Sequence, residues 1–430
     1  MSRIVQPHTR DSRRTSTSVN SQITARISIA ALRRSLPSPL RRLLAAAEAT
    51  ATDRGVTLWA VGGAPRDVAF GMPINDLDLA IDGDTGRFVR DLARRLPDAQ
   101  TGTPTAFGTA GVTLATSIGP MRLDLARLRA ETYARPGALP EVRWTPSVER
   151  DLARRDFTVN AIALGLTGEQ RNRVVDPFDG LADIGARRLR VLHAQSFEDD
   201  ATRLWRGARV AAARWLRPDA EAARLIEEGA RWAPSISGDR WSGELDLTAR
   251  RGHGAGAMRL LDRWGVLRAI HPAWTLDPRS LRALTRHPEP LSAARFAALL
   301  LAPLPETGAV LARLDAAGDV REAARDTARL LAMPSTPSAD TLVWLERTGE
   351  DARIAARWLT PERGADWRAL DRWRRTKPAL TAEELVSLGV PRGPALGRIL
   401  RELRRARFER TLTSKVAERE MVRRTAEHEG

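Results

Sequence analysis

Residues 58–84 read LWAVGGAPRDVAFGMPINDLDLAIDGD, and the fold turns on how that stretch is parsed. The apolar run 56–61 has the length and content of a buried strand. Gly62 and Gly63 follow, then Arg66 and Asp67. Glycine takes backbone angles that other residues avoid, and a bare backbone lets a phosphate approach main-chain N–H groups. Arg66 adds a charged fork suited to the same phosphate. Further on, Asp76-Leu77-Asp78-Leu79-Ala80-Ile81 alternates polar with apolar. Positions two apart on a strand share a face, so Asp76 and Asp78 project together while Leu77 and Leu79 enter the core. Two carboxylates on one rigid face suit Mg²⁺, which takes hard oxygen ligands and substrate phosphates.

Length and composition set the frame. A chain of 430 residues exceeds one ordinary core, so several domains or a helical array are expected. With 43% hydrophobic residues it is globular. The net charge of +16 suits a polyanion such as nucleic acid, or else marks a solvated basic surface. Only Lys377 and Lys415 are lysines; the other basic residues are arginine. The absence of cysteine excludes disulfides, thiolate metal sites and cysteine nucleophiles. No apolar run approaches the ~18 residues of a membrane span, so a cytoplasmic protein is expected.

Taken singly, a glycine pair or a D-x-D is more often a turn, or a strand with solvated acids, than a site. Here they stand in order on strand-like flanks. The stretch closely resembles the nucleotidyltransferase signature of bacterial tRNA nucleotidyltransferases (CCA-adding enzymes, second class) and poly(A) polymerases, which read V-G-G-x-V-R-D and then D-x-D. This chain has Val61-Gly62-Gly63-Ala64-Pro65-Arg66-Asp67, with Asp76 and Asp78. Pro65 departs from the pattern and is tolerable in the first turn of a helix.

Further motifs extend the resemblance. Strands are expected at 111–116 and 121–126, the second carrying Asp124. The families place a third acid there, just before an Arg-x-Glu-x-Tyr segment, matched by Arg129, Glu131 and Tyr133. Such a carboxylate could deprotonate an attacking hydroxyl or hold a second metal. Residues 154–161 match R-R-D-F-T-x-N-A throughout. The resemblance implies that Arg155 contacts the nucleotide and Asp156 reads the ribose. By themselves the residues could equally be a salt-bridged element start. Asp176-Pro177-Phe178-Asp179-Gly180 matches the families' D-P-F-G-G turn, with Asp179 for the first glycine.

The segment 197–209 reads FEDDATRLWRGAR. Leu204, Ala208, Ala211 and Trp215 form a helical apolar stripe, with Asp200 and Arg203 as surface neighbours three apart. A plain helix salt bridge is the simpler reading. The resemblance implies an E-D-x-x-R motif that reads the incoming base without a template. A carboxylate accepts from the exocyclic amine of cytosine or adenine, and arginine donates to the adjacent ring nitrogen. Uracil and guanine present a carbonyl oxygen instead, at a cost of roughly 1–3 kcal/mol. Arg206 could reach a triphosphate. Arg209 also matches, although at about 100° per residue it has drifted half-way round the helix from Asp200.

The fold expected is α/β: a nucleotidyltransferase head with a mixed sheet, then all-helical neck, body and tail. Residues 1–37, with Asp11 their one acid, read as a disordered basic arm. The head takes 38–183, the neck with the base-reading helix 184–270, and a tRNA-binding body and tail 271–430. A segment at 237–245 resembles a helix that packs behind the base-reading element. Thr381 with Glu384 reads as a capping box, and Gly393-Pro394 as a helix start able to hold a phosphate. By resemblance the chain adds C and A nucleotides, CCA or part of it, to tRNA from CTP and ATP. Asp76 and Asp78 hold Mg²⁺, Asp124 assists, Gly63 and Arg66 bind the triphosphate, and Asp200 with Arg203 chooses the base. A poly(A) polymerase, an enzyme adding only CC or only A, and a non-catalytic RNA-binding relic remain as alternatives.

Overall fold

In the computed structural model, residues 26–117, 119–335, 338–345 and 347–428 are described. Helices α1 (Ile29–Ser35) and α2 (Ser38–Asp53) lead into strand β1 (Leu58–Val61). Helix α3 (Gly63–Phe70) follows the glycine pair, with Pro65 inside its first turn. Then come β2 (Leu77–Ile81), α4 (Thr85–Arg95), β3 (Ala99–Thr101), β4 (Thr109–Leu114) and β5 (Met121–Arg127). A hairpin, β6 (Arg129–Thr132) and β7 (Glu141–Trp144), precedes α5 (Val148–Ala153), β8 (Ala163–Gly165), β9 (Val174–Val175) and α6 (Gly180–Gly185).

Seven strands form one mixed sheet in the order β3-β4-β5-β2-β1-β8-β9. The β2–β5 pair is parallel and sets Asp78 opposite Asp124; the remaining pairs are antiparallel. Alternation does what the sequence implied. Leu77, Leu79, Leu123 and Leu125 are buried, and Asp78 and Asp124 stand half-buried on the opposite side. Helices α2 and α4 pack on each other and on the sheet. Phe88 and Leu92 of α4 are fully buried, each contributing about 1.5–3 kcal/mol. A second apolar cluster, including Trp59, Val61, Ala80, Leu152 and Ala161, holds β1, β2 and β8 to α5.

Three expectations need correction. The basic arm does not reach residue 37: Ser28 caps α1, and Ile27, Ile29, Leu32 and Leu36 are buried. Residues 1–25 of that arm lie outside the described residues. The neck is not wholly helical, since β10 (Arg188–Leu189) and β11 (Arg217–Pro218) pair in parallel. Helices α7 (Ser196–Asp199), α8 (Thr202–Arg214), α9 (Ala220–Gly229) and α10 (Gly238–Arg251) also lie there. Trp215 leaves the apolar stripe because it adopts a left-handed conformation after α8, φ 52° and ψ 42°. That reversal turns Leu216 inward, 5% exposed, and leaves Trp215 68% exposed.

The chain divides into two compact units, residues 1–244 with 256–270, and 245–255 with 271–430. The expected neck therefore contributes to both. The second unit is helical. Ala293–Leu301, Gly318–Leu331 and Glu350–Leu359 pack together, and Trp367 and Trp373 anchor a neighbouring cluster. Near its end the Thr381–Glu384 capping box is present. Pro394–Phe408 begins after Gly393, φ 111°. On that helix Arg404 donates to the Trp373 carbonyl and Arg407 to the buried Glu418. No helix among the described residues is long and apolar enough to cross a membrane.

Candidate active site

Strand β1 is followed by Gly62, whose φ of 69° and ψ of −120° suit glycine. A Cβ there would sit 3.1 Å from Arg155 Nη1 and 3.3 Å from Asp78 Oδ2. One on Gly63 would sit 3.2 Å from Arg66 Nη2. The bare turn thus forms the floor of a cradle rimmed by one carboxylate and two guanidinium groups. Asp76 is exposed and lies just ahead of β2, outside the strand that the sequence predicted to carry both acids. Asp124 accepts from Arg122 Nε at 2.7 Å.

The charged rim is held by a network reaching well beyond the glycine turn. Asp151 is fully buried and accepts from Arg154 Nη2 at 2.8 Å and Arg155 Nη2 at 2.9 Å. Arg155 Nε is buried without a partner, an orphan donor beside the cradle. Arg66 grips Asp67 through Nε (2.9 Å) and Nη2 (3.1 Å), and its Nη1 reaches Asn160 Oδ1 at 2.5 Å. Arg214 braces Asp67 from the far side at 2.8 and 2.9 Å. Burial alone would raise Asp67, but Arg66 and Arg214 outweigh it and lower its pKa. Arg66 is therefore already engaged with protein groups, and its path to a phosphate lies through exchange of these bonds.

Asn160 passes the network on, donating to Asp156 Oδ1 at 2.9 Å. Asp156 is buried and also pairs with Arg206 at 2.9 Å. Desolvation pushes its pKa up, yet Arg206, Asn160 and the Phe157 N–H together hold it down at about 2. The structure so spends Arg206 on Asp156, where the sequence suggested a triphosphate. Arg209 pairs with Glu244, both nearly buried; the drift round the helix carries it to a structural ion pair.

Asp200 is not part of helix α8. Its φ of −148° and ψ of 97° are extended, and its Oδ1 accepts from the Thr202 N–H (3.0 Å) and Oγ1 (2.6 Å). A short carboxylate that bonds its own downstream backbone competes with helix and begins one instead. Asp200 and Arg203 thus do not share a helix face as their spacing suggested. A third donor, Arg240 Nη2, meets the same Oδ1 at 2.6 Å. Burial raises the Asp200 pKa, and Arg206 and Arg240 more than offset it, so the group is held ionised. With three donors on Oδ1, Oδ2 is the oxygen left to face a ligand. Arg203 is 3% exposed, its Nη1 on Ser196 Oγ (2.9 Å) and its Nη2 on the Arg154 carbonyl (3.0 Å). Beside it, Glu131 takes Arg129, Arg154 and the Tyr133 hydroxyl.

Arg240, Asn160, Asp151 and Arg214 were missed as site residues. Asn160 lay inside a quoted motif, so that signal was available. Arg240 is 40 residues from Asp200; it lies inside the quoted 237–245 segment, whose resemblance marks packing and not a contact to Asp200. Its other nitrogen, Nη1, reaches the Gly137 carbonyl at 3.3 Å. It thereby ties the loop between β6 and β7 to the carboxylate.

Comparison with known proteins places this arrangement. Residues 58–190 match the model of the poly A polymerase head domain. The CC-adding tRNA nucleotidyltransferase of Deinococcus radiodurans is 33% identical over 84% of this chain and 88% of its own. The chain belongs to the class II tRNA nucleotidyltransferase family. An A-adding tRNA nucleotidyltransferase of Geobacter sulfurreducens is 31% identical over 59% of this chain. One of Halalkalibacterium halodurans is 43% identical over 36%. The chain spans only 28% and 35% of those two relatives. Among solved structures, an apo CCA-adding enzyme superposes with a TM-score of 0.71 at 22% identity, covering 94% of this chain and 97% of that one. The Thermotoga maritima CCA-adding enzyme complexed with tRNA gives 0.65 at 19%, covering 94% and 98%. At that identity the two establish the shared tRNA nucleotidyltransferase fold.

Enzymes of this nucleotidyltransferase family depend on a metal, and the donor set here fits one. Asp78 offers a hard carboxylate oxygen at the glycine turn, with Asp124 its register partner on β5, as a divalent ion beside phosphate requires. Among the described residues no preformed cluster of three or more such ligands exists. Carboxylates with substrate oxygens completing the shell would suit a hard divalent cation.

Proposed function

We propose that this protein adds C and A nucleotides to the 3′ end of tRNA from CTP and ATP without a template, releasing pyrophosphate. The observation that carries the reading is the cradle. A bare Gly62–Gly63 turn lies against Asp78, Arg66 and Arg155, with Asp124 directly across from Asp78. Asp76 and Asp78 would hold Mg²⁺; bound there, the ion acidifies the RNA 3′-hydroxyl and neutralises charge on the leaving pyrophosphate.

The chain's own groups do the rest. The open amides of the glycine turn and the Arg66 and Arg155 guanidinium groups receive the triphosphate, fixing the α-phosphorus in line for attack. Asp124, half-exposed beside Asp78, accepts the proton of the attacking hydroxyl. Asp156, ionised and held by Arg206, orients the sugar side of the pocket. Asp200 Oδ2 accepts from the amine of C or A. Arg203, exchanging its bond to Ser196 or to the Arg154 carbonyl, donates to the ring nitrogen. Arg206 and Arg209 act as supports, through Asp156 and Glu244.

A second reading, addition of CC alone, is favoured by one observation: the relative matched over 84% of this chain and 88% of its own length is a CC-adding enzyme. The deciding experiment supplies tRNA lacking one, two or three terminal nucleotides with CTP, ATP and Mg²⁺, then sequences the 3′ ends. Completed CCA supports the first reading, and a stop after CC the second. Long A tracts on unstructured RNA would make the protein a poly(A) polymerase. Binding without any addition would make it a relic.

A further inference from the structure

The β10–β11 pair creates a surface that the proposed chemistry does not use. Arg188 and Arg217 stand directly opposite each other on parallel strands. Like charges so placed repel. Arg188 meets Asp183 Oδ1 at 3.6 Å, while Arg190 holds the other oxygen, Oδ2, at 2.9 Å, so one buried carboxylate is shared between two arginines. Arg217 makes no ion pair among the described residues, and both arginines are exposed. Arg187 sits over the Phe70 ring at 4.6 Å and donates to the Arg214 carbonyl at 2.9 Å. Asp219, the one acid on this surface, is taken up capping α9 through the Ala222 N–H.

Trp215 completes the surface. It is 68% exposed and holds a left-handed backbone, a conformation common for glycine at a helix end and rare for a bulky residue. The indole therefore projects from a fixed point of the backbone. With Arg187, Arg188, Arg217 and Asp219 it lines an open groove of about 410 Å³. Three guanidinium groups on the surface against Asp219 and the buried Asp183 leave a net positive charge beside a bare aromatic face, the chemistry of a phosphate with its base: the fork takes the anion and the ring takes the stack.

We propose that this groove binds a single-stranded stretch of RNA, with one phosphate between Arg188 and Arg217 and the neighbouring base stacked on Trp215. The inference rests on the reading of the chain as an RNA-handling protein but not on its catalysis. Charge complementarity favours RNA over an apolar protein segment, and the planar ring favours a nucleotide over a bare acidic peptide.

The test uses the full-length protein labelled with 5-fluorotryptophan. It contains 12 tryptophans, and the ¹⁹F resonance of Trp215 is assigned by its loss in W215F. Titration with single-stranded hexa-adenylate should move that resonance saturably. In the double variant R188Q/R217Q the apparent affinity at this resonance should fall at least about fivefold, and the slope of log K against log salt should drop by about 0.7, one phosphate contact on a single strand. An unchanged thermal midpoint and unchanged remaining resonances would show that this variant is folded. A Trp215 signal that stays put while others respond overturns the proposal. So does an equal response to a hexa-glutamate peptide, which would make the groove a protein dock. Nucleotide addition is measured on the same preparation. An active enzyme with a silent Trp215 overturns the groove alone, whereas a responding Trp215 in protein that adds nothing overturns the enzymatic reading alone.

Discussion

Replacing Arg240 by methionine isolates the support of Asp200. Methionine keeps much of the side-chain volume and removes two contacts, Nη2 to Asp200 Oδ1 at 2.6 Å and Nη1 to the Gly137 carbonyl at 3.3 Å. Breaking a fully buried ion pair costs about 3–5 kcal/mol. Arg240 is 25% exposed, and Asp200 keeps the two Thr202 donors, so the loss of stability should be about 2 kcal/mol. Selectivity should suffer as well. With its tie to Arg240 gone, the carboxylate is held by Thr202 alone and Oδ2 is aimed less firmly at the base. The preference for CTP over UTP should then fall about tenfold, equivalent to roughly 1.4 kcal/mol. Arg240→Lys, which keeps a charge but not the fork, should fall between the two. Single-nucleotide addition on trimmed tRNA gives kcat/KM for CTP, ATP and UTP, and thermal unfolding gives stability. A variant that loses stability while its CTP:UTP ratio stays fixed would show that Arg240 only holds the fold together.

Other outcomes follow from the same geometry. Asp78→Asn should leave thermal unfolding nearly unchanged and reduce addition by about a thousandfold or more, as loss of a metal-holding carboxylate does; retained activity would remove Asp78 from the site. Gly62→Ala places a methyl 3.1 Å from Arg155 Nη1 on a backbone with φ 69°. It should cost about 1–3 kcal/mol and weaken nucleotide binding, read by calorimetry with CTP. Asp156 has its pKa lowered from 3.8 to about 2 in the fold. Its contribution, about 2 kcal/mol, is complete well above pH 4 and is lost as the pH falls from 4 through 2. Unfolding midpoints measured across that range should fall less steeply in Arg206→Gln than in the parent protein.

How far the sequence carried the fold depended on whether a signal was local. Alternation at 77–79 gave the strand and the side on which Asp78 stands, because period two leaves each residue one side, but it carried the strand one residue too far back, to Asp76. The glycine pair gave the turn. Helix α1 was overlooked although its signs were present: Ser28 as cap and Ile29, Leu32 and Leu36 at helical spacing. The surrounding arginines and serines masked them. Asp200 and Trp215 misled for another reason. Spacing rules assume the helix continues, and here its first turn starts after Asp200 and its last stops before Trp215. Neither end shows in periodicity. Arg240, Arg214 and Glu244 act across tens of residues, and pairing at that range is decided by tertiary packing.

The place of β1 in the sheet has a consequence for synthesis of the chain. Its two neighbours come from distant parts of the sequence: Trp59 pairs with Ala80 on one side and with Gly165, about a hundred residues later, on the other. As the polypeptide leaves the ribosome, one edge of this central strand stays bare until residue 165 has emerged. Such late closure slows folding and exposes a sticky edge meanwhile. Fragments ending before β8 should aggregate, and those reaching beyond residue 175 should stay in solution.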